Sequence, residues 1–89
     1  MLFRSWLDAA LEELARLWSQ ADSALRDSLT AASLEIDKRL HRDASNDGES
    51  RSGGRRITLV PPLAVIFRVN EENRTATVIE IVLFRPRSR

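Results

Sequence analysis

The chain has 89 residues, of which 43 % are hydrophobic and 30 % charged, with a formal net charge of +1. That length supports one hydrophobic core, small enough for a partner to add to its stability. Cysteine is absent, which excludes a disulfide framework and any cysteine-ligated metal. No apolar run approaches the ~18 residues of a membrane span, and the first residues lack the apolar segment of a secretory signal, so a cytoplasmic protein without membrane contact is expected.

The near-neutral total conceals a division along the chain. Residues 1–50 carry six Lys or Arg against ten Asp or Glu, a net −4, whereas residues 51–89 carry eight against three, a net +5. Thirteen of the fourteen basic residues are Arg. Arg makes bidentate bonds to phosphate and carboxylate that Lys does not reproduce, and a compositional preference for Arg accounts for the same count equally well.

Met1 to Trp6 is apolar with one charge, long enough for a short first strand and too short to require one. From Leu7 the apolar residues Leu7, Ala10, Leu11, Leu14, Leu17, Trp18 and Ala21 recur at intervals of three and four, which predicts an amphipathic helix ending near Gln20. Asp8 or Ser5 is the expected N-cap. Trp18 falls within the stripe and is expected in the core, a base-stacking platform being the alternative. Asp22 or Ser23 is placed to cap a second helix, whose stripe is Leu25, Leu29, Ala32, Ile36 and Leu40. So little chain separates the helices that they must form an antiparallel hairpin. His41, the single histidine, falls at the C-terminal end of the second helix, where a protonated imidazole complements the helix dipole. With no second histidine or cysteine, no metal site is expected.

Asp43 to Gly54, DASNDGESRSGG, has no apolar residue larger than alanine and is expected to be a solvated loop, with Gly53 and Gly54 allowing a sharp turn into the next element. It lacks the Gly-Lys-Ser/Thr ending of a phosphate-cradling loop. Arg55 to Phe84 then reads as a sheet. Leu63 to Val69 and Thr75 to Phe84 are rich in β-branched and aromatic residues, with a hairpin loop between them at Asn70 to Arg74. Pro61 and Pro62 cannot donate ladder hydrogen bonds and separate an earlier strand, about Arg56 to Val60.

A period of two puts Leu63, Val65, Phe67 and Val69 on one face, and pairing across the loop places Thr77, Ile79, Ile81 and Leu83 with them, toward the helices. The second face then carries Ala64, Ile66, Arg68, Ala76, Val78, Glu80, Val82 and Phe84, with Arg56 and Thr58 as possible additions from the preceding strand. This face is too apolar for free solvation and calls for a covering partner. Arg68 either pairs with Glu80 there or points at a phosphate or a partner's carboxylate. The tail adds Arg85, Arg87 and Arg89 beyond Pro86.

The helix ending in LARLW, the second closing on EIDKRL, the loop GESRSGGRR and the strand PPLAVIFRV followed by a charged hairpin together resemble the RelE/ParE superfamily of bacterial toxins, from about Trp6 to Phe84. The resemblance implies an α+β fold: an N-terminal antiparallel helical hairpin (about 7–42), a loop (43–54) and a three- to four-stranded antiparallel sheet (55–84), followed by a basic tail (85–89). It also implies an antitoxin that wraps the toxin, and a toxin that either cleaves messenger RNA at the ribosome or inhibits DNA gyrase. The nuclease branch uses basic residues on the sheet, usually with a Tyr or His near the C-terminal end. Arg56 and Arg68 match the basic positions, and Arg85 matches loosely.

The departures from that pattern concern proton transfer. The chain has no tyrosine, its one histidine lies in the helical half, and Arg is a poor acid or base. An arginine-based nuclease would leave proton transfer to Glu80, the substrate or the ribosome. The preferred reading is therefore a ParE-like toxin that works by binding a target such as gyrase and is neutralised by a cognate antitoxin. Arg55, Ile66, Arg68, Val78, Val82 and Phe84 would be the contact residues, without cofactor or metal. A ribosome-dependent nuclease using Arg56, Arg68, Glu80 and Arg85 is the alternative, and an inactive domain of the same fold the third. The sequence sets no oligomeric state.

Overall fold

The computed structural model describes residues 3–43, 49–50 and 52–84. Its elements run β1 (Phe3–Trp6), α1 (Asp8–Gln20), α2 (Ser23–Asp43), β2 (Glu49–Ser50), a 3-10 turn (Ser52–Gly54), β3 (Arg55–Val60), β4 (Leu63–Asn70) and β5 (Thr75–Leu83). The strands form one sheet in the order β1-β5-β4-β3-β2, with the helical hairpin across one face. The sheet is mixed rather than wholly antiparallel. β1 lies parallel to β5, from Phe3 opposite Thr75 to Trp6 opposite Val78, because the long connection through the hairpin and the later strands returns the chain in the same direction.

The start of α1 departs from the expected capping. Leu7 is its N-cap, without a side-chain bond. Ser5 is engaged elsewhere, its Oγ 3.2 Å from Thr77 Oγ1. The Leu7 amide donates to the Val78 carbonyl at 2.9 Å, so β-pairing anchors the chain where a cap would otherwise do so. Asp8 instead occupies the first turn, where its charge suits the positive end of the helix dipole. Asp22 does cap α2: its Oδ1 accepts from the Leu25 amide at 2.8 Å.

The α2 stripe behaves as its spacing predicts, with Leu29, Ala32, Ile36 and Leu40 buried and Leu25 packed beside them. They meet Val60, Leu63, Val65, Phe67, Val78 and Ile81 of the sheet, and each large side chain so buried stabilises the fold by about 1.5–3 kcal/mol. In α1 the row facing the core is Ala10, Leu14 and Leu17. Trp18 is not a core residue. It is 44 % exposed, like Leu7 and Leu11, because the apolar arc of α1 is wider than the strip that the sheet covers. Two further contacts tie the layers together: Trp6 Nε1 donates to Asp37 Oδ1 at 3.0 Å, and Arg39 Nη1 donates to the Leu59 carbonyl at 3.2 Å.

The segment expected to be a loop, Asp43 to Gly54, holds regular structure among its described residues. Asp43 ends α2, while Glu49 and Ser50 pair with Ile57 and Arg56 to extend the sheet. Gly53 and Gly54 have φ of 75° and 74°, the left-handed region in which a Cβ is unfavourable, and they turn the chain into β3. The expected basic tail, with Arg85, Arg87 and Arg89, lies outside the described residues.

Candidate interaction face

The faces of the sheet follow from its register. Leu63 lies opposite Leu83 and Val65 opposite Ile81, as strict alternation requires. Between Ile66 and Phe67 the register shifts: Ile66 pairs with Glu80 and Phe67 with Val78, which leaves Ile79 as an extra residue. Such a β-bulge exchanges the parity of everything beyond it. Val78 and Ala76, expected on the open face, are fully buried in the core, while Thr77 takes the place expected for them. A residue without exposed surface cannot touch a partner, so Val78 is not a contact residue in the folded chain.

The strand before Pro61 is also one residue out of the expected phase. Its two-residue turn sets Val60 opposite Leu63, so Thr58 and Arg56 share the helix-facing side with Val65 and Phe67. Arg56 therefore lies on the opposite face from Arg68. Arg55, Ile57 and Leu59 are the β3 residues of the open face.

Three rows cross that face. Arg55 is directly opposite Arg68, Arg68 opposite Thr77, and Thr77 opposite Ser5. The next row runs Glu49, Ile57, Ile66 and Glu80, and the third Leu59, Ala64 and Val82. Strand spacing of ~4.8 Å and a two-residue repeat of ~6.7 Å make the patch roughly 14 Å on a side. Leu59, Val82 and Phe84 are 53 %, 47 % and 40 % exposed. Apolar surface thus fills the end near the Pro61–Pro62 turn, and two guanidinium groups beside a hydroxyl pair occupy the other end.

Among the described residues neither the Arg55 nor the Arg68 side chain forms a hydrogen bond or ion pair, and Arg68 does not pair with Glu80. Like charges directly opposite on a sheet repel. Two Arg in that relation concentrate positive charge that a single anionic group, a phosphate or carboxylate, would neutralise. Of the expected nuclease set, Arg68 and Glu80 share the open face, Arg56 faces the helices, and Arg85 lies outside the described residues. His41 is exposed in the last turn of α2, well apart from the open face in the fold. Among the described residues no cluster of His, Asp or Glu could hold a metal ion, and no helix is long and apolar enough to cross a membrane.

Leu59, Ile57, Thr77 and Ser5 belong to this face although sequence reasoning did not assign them to it. Pairing Val60 with Leu63 across the two-proline turn would have found the first two. Nothing in TATVIEIVL marks the bulge that delivers Thr77, because apolar residues fill both parities.

The architecture defines a small α+β domain in which a helical hairpin covers one face of a mixed sheet and, among the described residues, nothing covers the other. This is the RelE/ParE toxin fold. The chain is similar to a protein of the chromosomal ParDE toxin–antitoxin system of P. aeruginosa, with 18 % identity, a TM-score of 0.71, and 96 % of this chain and 98 % of that one covered. It is also similar to the isolated E. coli RelE toxin, with 15 % identity, a TM-score of 0.64, and 99 % and 89 % covered. A third similar structure is the E. coli RelBE toxin–antitoxin complex, with 17 % identity, a TM-score of 0.61, and 98 % and 100 % covered. No protein-family model and no curated protein sequence matches the chain.

Proposed function

We propose that this chain is the toxin of a toxin–antitoxin pair and acts in the ParE manner, by binding a cellular target such as DNA gyrase through the open face of its sheet. A cognate antitoxin covers the same face. The observation that supports binding over cleavage is the division of the arginines: Arg56 and Arg68 lie on opposite faces, so the groups a nuclease would use do not converge. Transesterification of RNA also needs a group that gives and takes a proton near neutral pH, and the described residues of the open face offer no His or Tyr for that role.

The apolar end of the face supplies a partner's buried contact, and Arg55 and Arg68 supply charge and orientation. One observation favours the ribosome-dependent nuclease as a second reading: the Arg55–Arg68 pair beside the Thr77 hydroxyl is chemically fit for a phosphate. Arg68→Ala separates the two. A binding toxin loses growth arrest in proportion to its loss of affinity for the target, with messages intact throughout; a nuclease loses message cleavage by more than its loss of affinity for the message.

A further inference from the structure

The outer surface of the helical hairpin, turned away from the sheet, is complementary to itself. On α1, Leu7, Leu11, Leu14 and Trp18 follow at intervals of four, three and four and form one seam. Leu7, Leu11 and Trp18 are 46 %, 48 % and 44 % exposed. On α2 the neighbouring row is Arg26, Thr30, Ser33 and Asp37, with the same intervals. Leu11, Leu14 and Trp18 line a shallow groove together with Thr30 and Ser33, so the two rows run side by side.

Contacts at either end fix which residues are level. At the turn between the helices the Arg26 guanidinium carbon sits 4.2 Å from the centre of the Trp18 ring. Arg26 also donates through Nε to the Trp18 carbonyl at 2.9 Å and through Nη2 to the Ser19 carbonyl at 3.3 Å. At the opposite end Asp37 Oδ1 accepts from Trp6 Nε1 at 3.0 Å, where the chain enters α1. A cation therefore stands beside Trp18 and an anion beside Leu7.

A two-fold axis that crosses the hairpin midway, between Leu11 and Leu14 on α1 and between Thr30 and Ser33 on α2, sets each row against its complement. Leu7 of one copy meets Trp18 of the other, Leu11 meets Leu14, Thr30 meets Ser33, and Arg26 meets Asp37. In this arrangement α1 lies antiparallel on α1 and α2 on α2, a four-helix layer between two sheets, and no helix enters the groove. An axis along the helices instead gathers both Arg26 side chains at one end and both Asp37 at the other, which charge disfavours. Trp18, already held under Arg26, loses little entropy on association. The net charge of +1 adds little repulsion between copies. A face two helices wide and three turns long, roughly 20 Å by 16 Å, is small beside the ~800 Å² that each partner buries in a stable complex, so the association is weak.

We propose that this chain forms a weak two-fold dimer through the outer surface of its helical hairpin, with Leu11 and Leu14 at the axis and Arg26 paired with Asp37 of the second copy at each end. The test is sedimentation of the full chain at increasing concentration in about 0.1 M salt, where a monomer–dimer equilibrium with a Kd on the order of 10–100 µM is expected. Leu11→Lys, at an exposed position, should abolish the dimer, with the fold checked by circular dichroism. Asp37→Asn keeps the oxygen that Trp6 uses and removes the charge; it should weaken the dimer about threefold to tenfold, because two equivalent pairs are lost. Spin labels on Ser23→Cys, an exposed position outside both rows, should lie ~25–35 Å apart in the dimer, against ~15 Å for an axis along the helices. A chain that stays monomeric up to about 500 µM, a dimer that survives Leu11→Lys, an unchanged Kd in Asp37→Asn, or the shorter label distance would each overturn the proposal.

Discussion

Arg55→Glu should make the protein more stable and, under the proposed function, weaken growth arrest on expression. Arg55 and Arg68 are directly opposite across β3 and β4 with no compensating partner among the described residues. Charge reversal at one of them turns a repulsive cross-strand pair into an attractive one. Cross-strand pairs contribute about 0.2–1 kcal/mol each, and exposed ion pairs lie at the low end, so the net change should be about 0.5–1 kcal/mol. For a domain of this size that is a rise of about 2–8 °C in Tm. Thermal unfolding followed by circular dichroism reads it, at about 0.1 M salt and again at 1 M, where the screening length falls from ~10 Å to ~3 Å. The gain should be present at low salt and largely gone at high salt, while growth arrest on expression weakens. No gain at low salt, or a gain that persists at 1 M, would refute the reasoning that the pair is held in repulsion for the sake of an anionic ligand.

Four further outcomes follow from the packing. Asp22→Ala removes the α2 cap and should cost about 1 kcal/mol in denaturant unfolding, whereas Asp8→Ala, which removes no cap bond, should cost less. Ile36→Ala, at a position only 1 % exposed, should cost about 2–5 kcal/mol, a large part of the stability of so small a domain. Deletion of Ile79 should leave cooperative unfolding intact, because it regularises the β4–β5 ladder without moving Val78 or Ile81 to the other face; deletion of Val65 should abolish it. The Arg16 side chain hydrogen-bonds Glu13 and holds its carboxyl below the usual carboxylate range, with partial burial opposing and the Arg16 charge assisting. A lowered folded pKa stabilises above the ordinary carboxylate value, and that contribution is lost as pH falls through the lowered one. Glu13→Gln should therefore flatten the acid limb of the pH–stability curve, a change small enough to vanish in 1 M salt because the pair is exposed.

Much of the fold was legible because the periods were clean. The α2 stripe is apolar at each core position, and Pro61–Pro62 together with the polar run Asn70 to Arg74 mark the breaks between the strands of the sheet segment. What the sequence did not reveal has specific causes. Trp18 looked like core because α1 is apolar over more than one row, and periodicity alone does not say which row the sheet covers. Ser5 and Asp8 looked like caps because a cap is a local device; a parallel pairing with Val78, far along the chain, anchors that helix instead. Val78 and Arg56 were assigned to the wrong face for related reasons. A bulge shifts parity by one residue, and a two-residue turn sets the phase of β3, yet RRITLV and TATVIEIVL are apolar enough on both parities to hide either shift. Ile66, Arg68 and Val82 keep the side that alternation expects, since they lie where register and simple counting agree, whereas Arg55 reaches the open face only because β3 is out of the expected phase.

Controlled expression of the chain in bacteria, following message integrity and the DNA-damage response side by side, tests the central claim most directly. Growth arrest with filamentation, an induced DNA-damage response and intact messages is the predicted result. Rapid message loss with cuts at ribosome-bound codons would contradict it in favour of the nuclease, and undisturbed growth would contradict it in favour of an inactive domain of the same fold.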